Sequence, residues 1–318
     1  MSFVHDDPAF ASLLMQVADA TKIAPALVEK DYWITHALWA LHEIGLDVWF
    51  KGGTSLSKGF GIIERFSEDL DLMVEHGQVS GLPEVGNWTS VNKGPVAQRQ
   101  AFYQALQQAF IIPSVPVERD ATREEKYSRS ADFLGRYPGV FVANLPDAMS
   151  PSVRFEVGRA RVVPFVVRPI SSFVHEHLAH LGLPDDLIDN RPREVRCVHP
   201  LVTLFEKLDA LSRRYGRGAI EADTFVRHYE DAARIVKALD RLPPAELPAR
   251  MLAEDMIVQK DIAALPSAVD PSLVLDDPPK RAAIEQAYRR ISPMFWGPRI
   301  PLDEACQILR DWTAGLVG

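Results

Sequence analysis

Phe50-Lys-Gly-Gly-Thr-Ser-Leu-Ser-Lys-Gly-Phe60, followed by Arg65-Phe-Ser-Glu-Asp-Leu-Asp-Leu72, is the stretch on which the reading of this chain turns. Val48-Trp-Phe50 reads as a short buried strand, and residues 70–74 read as a second. Side chains two apart on a strand point the same way, so Asp69 and Asp71 project together. Two neighbouring carboxylates repel unless a cation lies between them, and Mg²⁺ is the hard ion that takes carboxylate and phosphate oxygens. The turn at Gly52 and Gly53, ahead of a short helix over 56–60, offers bare backbone N–H groups of the kind that favour phosphate. A phosphate cradle beside a metal-binding acidic pair is what nucleotidyl transfer needs. The plainer alternative makes Asp69 and Asp71 solvated turn residues. Leu70 and Leu72 alternate with them, however, and a half-buried strand rarely spends two same-face positions on aspartate without cause. No Gly-x-x-x-x-Gly-Lys-[Ser/Thr] occurs here, which disfavours a P-loop NTPase.

Working outward, residues 8–43 read as helices and 77–94 as a loop. A helix follows over 95–112, and 113–150 read as irregular strands. Val153, Phe155 and Val157 alternate with Ser152, Arg154 and Glu156, which predicts a strand. Another strand is expected within 161–170 and a short helix over 171–181. Residues 182–196, with their Pro, Asp, Asn and Arg, hold the expected domain boundary. From Pro200 onward the pattern is helical, with Leu201, Leu204, Phe205, Leu208 and Leu211 on one stripe. The fold expected is α/β of the α+β kind: a domain over 1–190 with a small mixed sheet, then an all-helical domain over 191–318.

Composition sets the wider limits. The chain has 318 residues, 47% of them hydrophobic, and a formal net charge of −8, so any nucleic-acid contact needs a local basic patch. Two cysteines, Cys197 and Cys306, give no disulfide framework and no cysteine zinc site. The amino-terminal residues lack a secretory pattern, and no apolar run is long enough to span a bilayer, so a soluble cytoplasmic protein with no membrane partner is expected.

Gly-Gly followed by a strand Asp-x-Asp is similar to the signature of the polymerase-β-like nucleotidyltransferase superfamily. That resemblance implies a small mixed sheet flanked by helices and a third carboxylate on a neighbouring strand, for which Glu156 is the candidate. Val28-Glu-Lys-Asp-Tyr-Trp33, Phe50-Lys-Gly-Gly-Thr-Ser-Leu-Ser-Lys58 and Arg65-Phe-Ser-Glu-Asp-Leu-Asp71 together resemble the AbiEii/AbiGii-type nucleotidyltransferase toxins. His199-Pro-Leu-Val-Thr-Leu-Phe-Glu-Lys-Leu-Asp-Ala-Leu211 is similar to that family's Glu-Lys-x-x-Ala-Leu helix. Arg227-His-Tyr-Glu-Asp231 is similar to its Arg-Asp-x-Tyr-Asp segment, with His228 and Glu230 in place of the first aspartate and the tyrosine.

The resemblance implies a bacterial toxin of a toxin–antitoxin or phage-abortive-infection system. It would move NMP from Mg-NTP to an acceptor hydroxyl, with tRNA or another RNA as acceptor and a cognate antitoxin protein as partner. Asp69, Asp71 and Glu156 would be metal and catalytic residues. Gly52, Gly53, Thr54 and Ser55 would line the nucleotide phosphates, Lys207 would contact the triphosphate, and Asp231 would be the acidic group on the next helix. Glu156 could serve instead as general base. Local alternatives are an ion pair of Lys207 with Glu206 or Asp209, one of Asp231 with Arg227, and a helix cap for Ser55. At the level of function, the alternatives are transfer to a small molecule or a protein, or a nucleotide-binding regulatory module without turnover.

Two further patterns weigh less. His175-Glu-His-Leu-Ala-His180 lacks the His-Glu-x-x-His spacing of a zinc helix. Arg191, Arg193 and Arg196, with Arg213, Arg214 and Arg217, form two basic clusters around the Lys207 helix. They are read either as solubilising contacts or as a landing site for RNA phosphates.

Overall fold

The two strands expected on either side of the glycine turn form and pair antiparallel, with Lys51 opposite Asp71. The computed structural model describes residues 1–67, 69–146, 149–182, 187–218 and 220–317. In chain order the strands are β1 (Asp47–Lys51), β2 (Asp69–Glu75), β3 (Val117–Arg119), β4 (Ser130–Gly135), β5 (Val153–Gly158), β6 (Phe165–Arg168) and β7 (Val195–Val198). The helices are α1 (Phe10–Thr21), α2 (Pro25–Glu43), α3 (Gly52–Lys58), α4 (Lys93–Ala109), α5 (Phe173–Leu181), α6 (Pro200–Tyr215), α7 (Arg227–Ala238), α8 (Ala249–Val258), α9 (Pro271–Val274), α10 (Pro278–Arg290) and α11 (Leu302–Val317). The result is a mixed α/β architecture. No helix among the described residues is long and apolar enough to cross a membrane.

The strands form one seven-stranded sheet in the order β3-β4-β5-β2-β1-β7-β6. The β2–β5 and β1–β7 pairs are parallel, and β1–β2, β3–β4 and β4–β5 are antiparallel. β7 falls inside and just past the segment read as a linker. Its Val195 and Cys197 are fully buried while Arg196 is not, and two apolar positions beside Pro- and Arg-rich sequence are too few to announce a strand. Along β2, Leu70 and Leu72 point into the core with Phe50, Phe133 and Phe155, all at 2% exposure or less, and the aspartates take the other face. Burying each such side chain is worth about 1.5–3 kcal/mol.

The chain divides into two compact units: Met1–Gly59, Ser67–Ala160 and Val167–Cys197 in the first, and Phe60–Phe66, Arg161–Val166 and Val198–Gly318 in the second. In the first, α2 is buried almost all round, so its charged residues need internal partners. Glu29 accepts from the backbone N–H of Val140 (2.6 Å) and Phe141 (2.7 Å). Lys30 Nζ donates to the carbonyls of Ser150 (2.6 Å) and Ser152 (3.2 Å). Asp31 pairs with Lys58 at the end of α3 and accepts from the Phe173 N–H at the start of α5. The acidic-basic run at 29–31 is thus a set of struts, and Asp31 fixes the helix that carries the glycine turn.

A second internal network joins His5, Tyr32, His36, His175 and Asn190. Tyr32 Oη lies 2.8 Å from His5 Nδ1 and 3.2 Å from Asn190 Nδ2, and Asn190 reaches His36 Nδ1 and His175 Nε2 at 2.8 Å each. Burial pulls His175 down to about 4, and burial with the neighbouring His36 does the same to His5. The unfolded chain binds these protons near 6.5 and the folded one only near 4. Stability therefore rises with pH across that window and is lost as pH falls through it. The denaturant midpoint should be clearly lower at pH 5 than at pH 7.5; equal midpoints would contradict neutral, buried imidazoles.

Candidate active site

Strand register builds a polar row across four strands. Lys51 on β1 faces Asp71 on β2, Asp71 faces Glu156 on β5, and Glu156 faces Asp132 on β4. Two residues along, Asp69 faces Arg154. Asp69, Asp71 and Glu156 therefore share one face of the sheet, opposite the Leu70–Phe155 core. Arg154 Nη1 donates to Asp120 Oδ2 at 2.7 Å, and its Nε lies 3.5 Å from Asp69 Oδ1. Arg123 Nη1 donates to Glu156 Oε1 at 3.2 Å.

Like charges dominate the row. Burial, followed by the carboxylates of Asp71, Asp69 and Asp132, pushes Glu156 up to about 8, and Arg123 offsets only part of this. Its side chain is 35% exposed, so water screens some of the repulsion, but the upward direction follows from three acids on one face. Asp132 also rises, through burial first, with Asp69 and Asp120 adding to it.

Asp71 lies directly against the glycine turn. A Cβ built on Gly52 would sit 1.7 Å from Asp71 Oδ2, and Gly52 has φ +72°. Only glycine satisfies both the left-handed backbone and the approach of the carboxylate. The turn is itself the start of α3, which begins at Gly52 with Lys51 as N-cap, so the helix opens four residues earlier than its apolar pattern announces. Ser55 therefore lies inside the helix and does not cap it. Its hydroxyl is buried against β7 residue Cys197. The Cys197 thiol is a near neighbour: burial pushes that thiol up to about 12, and the Ser55 hydroxyl draws it back slightly. Thr54 Oγ1 donates to the Asp69 carbonyl at 2.7 Å, tying the turn to β2. Gly52→Ala should cost about 1–2 kcal/mol from the backbone alone and force the Asp71 carboxylate aside. Activity should then fall much further than stability does, as rates and denaturant midpoints measured on the same preparation will show.

Lys207 and Asp231 belong to the second unit, where they meet a third residue. Arg65 donates from Nε to Asp231 Oδ1 (2.7 Å) and from Nη2 to Oδ2 (2.6 Å), and Lys207 Nζ donates to Oδ2 at 2.8 Å. Arg65 and Asp231 are at most 1% exposed and Lys207 7%. Burial alone would raise Asp231, but the Arg65 and Lys207 charges hold it far below the usual carboxylate range. Burial lowers Lys207, and Asp231 opposes that shift. The local pairs considered for these residues give way to this long-range cluster. Lys207 Nζ also lies 3.4 Å from His228 Nδ1. Glu230 is fully buried and accepts from Tyr288, Arg299 and the Ile300 N–H.

Sequence reasoning passed over Arg65, Asp132 and Arg154. Asp132 was within reach, since Ala131 and Phe133 alternate with Ser130 and Asp132. His175 is absorbed by Ser172 and Asn190, at 2.7 and 2.8 Å. Among the described residues no three His, Cys, Asp or Glu side chains converge on a metal position. A Mg²⁺ ion held by one or two carboxylates and completed by phosphate oxygens and water needs no such trio. The hard-oxygen donor set and the mutual repulsion of its members fit that arrangement.

A family model described as nucleotidyl transferase AbiEii toxin, type IV TA system, matches residues 37–307. No curated protein matches the chain.

Proposed function

The chain belongs to the AbiEii nucleotidyl transferase toxin family, and from that premise we propose that it moves NMP from Mg-NTP to an acceptor hydroxyl on RNA, with tRNA foremost, in a toxin–antitoxin or phage-defence setting. The observation that supports this reading is the carboxylate row of β2 and β5 set against the Gly52 turn. The hydroxyl oxygen attacks the α-phosphorus, the bond to the bridging oxygen breaks, and pyrophosphate leaves with that electron pair.

Asp71 and Asp69 are the proposed metal holders, with Glu156 as third ligand or as base for the hydroxyl proton. A bound Mg²⁺ would neutralise phosphate charge and lower the barrier to attack. Gly52, Gly53 and Thr54 keep the turn close to β2, and Ser55, inside the first turns of α3, is the proposed fourth residue of the phosphate cradle. Within the second unit, Lys207 is the proposed phosphate-contacting cation, and Asp231, locked by Arg65, positions it.

The test is incubation with α-labelled NTP and separate pools of RNA, protein and small metabolites. Label is expected in RNA, with Mg²⁺ required and pyrophosphate released. Label confined to protein or metabolites would replace the acceptor, and no label in any pool would overturn the reading.

A further inference from the structure

The two basic clusters of the sequence separate once their partners are known. Arg191 and Arg193 pair with Asp189, and Arg196 pairs with Asp47 while stacking on Trp49. Arg213 pairs with Asp209 at 2.6 Å. Arg214, Arg217 and Arg227 have no carboxylate partner among the described residues.

These three collect where the end of α6 meets the start of α7. Arg214, in the last turn of α6, donates from Nη1 to the Thr224 carbonyl at 2.7 Å, just ahead of α7. Arg227 is the first residue of α7. Arg217 follows α6, and its carbonyl accepts from Lys280 Nζ at 3.2 Å, as the Tyr215 carbonyl does at 2.7 Å. Burial, then the charges of Arg213, Arg217 and Arg227, lower Arg214, and Glu221 opposes them. Arg227 also stands at the positive end of a helix dipole, where a cation is disfavoured. Unmatched positive charge is thus concentrated locally in a chain whose net charge is −8.

We propose that Arg214, Arg217 and Arg227 form a docking site for the phosphodiester backbone of an RNA strand. The inference rests on the transfer-to-RNA reading and adds where the acceptor is held. Guanidinium forks match phosphate oxygens in pairs. Three forks carried on two helices and the loop after α6 suit successive phosphates better than a single small anion. Arg217 is exposed and its side chain makes no hydrogen bond or ion pair among the described residues, so its replacement should leave the fold unstrained.

The test measures anisotropy of a labelled single-stranded oligoribonucleotide with the full chain, without NTP, over a range of KCl concentrations. Arg217→Ala and Arg227→Ala should each weaken binding about fivefold near 0.1 M salt and flatten the log K against log salt slope by about 0.7. Arg217→Lys, which keeps the charge and loses the fork, should keep the parent's salt slope with a smaller loss of affinity than Arg217→Ala, and Mg-NTP binding by calorimetry should match the parent. Unchanged affinity and slope would overturn the proposal. So would a parallel loss of Mg-NTP affinity, which moves the arginines to the nucleotide site. Polyglutamate binding with equal strength and the same arginine dependence would reassign the patch to an acidic protein. Because this assay involves no transfer, failure of the catalytic reading appears separately, as absence of label transfer by the parent protein.

Discussion

Asp71→Asn is expected to lower nucleotidyl transfer by about a thousandfold or more, a barrier increase of about 4 kcal/mol, while stability shifts by no more than about 1 kcal/mol. The two halves of this expectation have one cause. Asp71 stands between Lys51 on β1 and Glu156 on β5, one attractive and one repulsive neighbour. Removing its charge loses the first and relieves the second, so the fold is nearly indifferent. The site is not indifferent, since the carboxylate nearest the glycine turn is the one removed. Glu156 should also titrate lower in this variant, because Asp71 is the largest of the charges raising it. Initial rates of label incorporation, read beside denaturant midpoints, check both halves. A variant that keeps its activity would dismiss the carboxylate row as catalytic machinery.

Asp231→Asn is expected to act in the opposite way, costing about 3–5 kcal/mol of stability. Asp231 is fully buried and accepts from both Arg65 and Lys207, so asparagine leaves two interior cations facing a neutral amide. Loss of activity in this variant would therefore say little about chemistry. Lys207→Met separates the two roles, because the bidentate Arg65–Asp231 pair survives it and the desolvation cost of the ammonium disappears. Its stability should stay within about 1 kcal/mol of the parent, and any large loss of transfer then belongs to the missing cation. The Asp231 carboxylate is held far below the usual range, so its contribution is complete above the unfolded value of 3.8 and is lost progressively as pH falls below it. Urea titrations on the parent and Asp231→Asn should show a smaller stability difference at pH 3 than at pH 7; a difference that persists undiminished would contradict the ionic account.

What could be read in advance follows the range of the interactions. β1 and β5 alternate cleanly, and β2 does so from Asp69 to Leu72 before a buried run over 72–74, so alternation puts Asp69, Asp71 and Glu156 on polar positions before any neighbour is known. That the three share one face depends on the parallel β2–β5 register, a long-range pairing on which local pattern is silent. β7 escapes because four residues with a central arginine carry too little pattern. The start of α3 escapes because glycines at its first two positions read as a turn, while the structure uses the positive φ of Gly52 to enter the helix. Arg65 lies inside the very stretch that decides the fold, yet its partner is 166 residues away in sequence. Its role cannot be inferred from its neighbours, and for Asp231 the local pattern offers only an ion pair with Arg227 as the alternative to a place in the site.

The central claim is that the carboxylates of β2 and β5, facing the Gly52 turn, hold a divalent ion with the nucleotide. Manganese reports its own binding by electron paramagnetic resonance and takes the same oxygen ligands as magnesium. Titrated into the parent protein, first alone and then with a non-hydrolysable NTP, it should bind at one saturable site that weakens more than about tenfold in Asp71→Asn and in Asp69→Asn under both conditions, while in Lys207→Met the binding without nucleotide is much less affected. Equal manganese affinity in the parent and both aspartate variants would contradict the account.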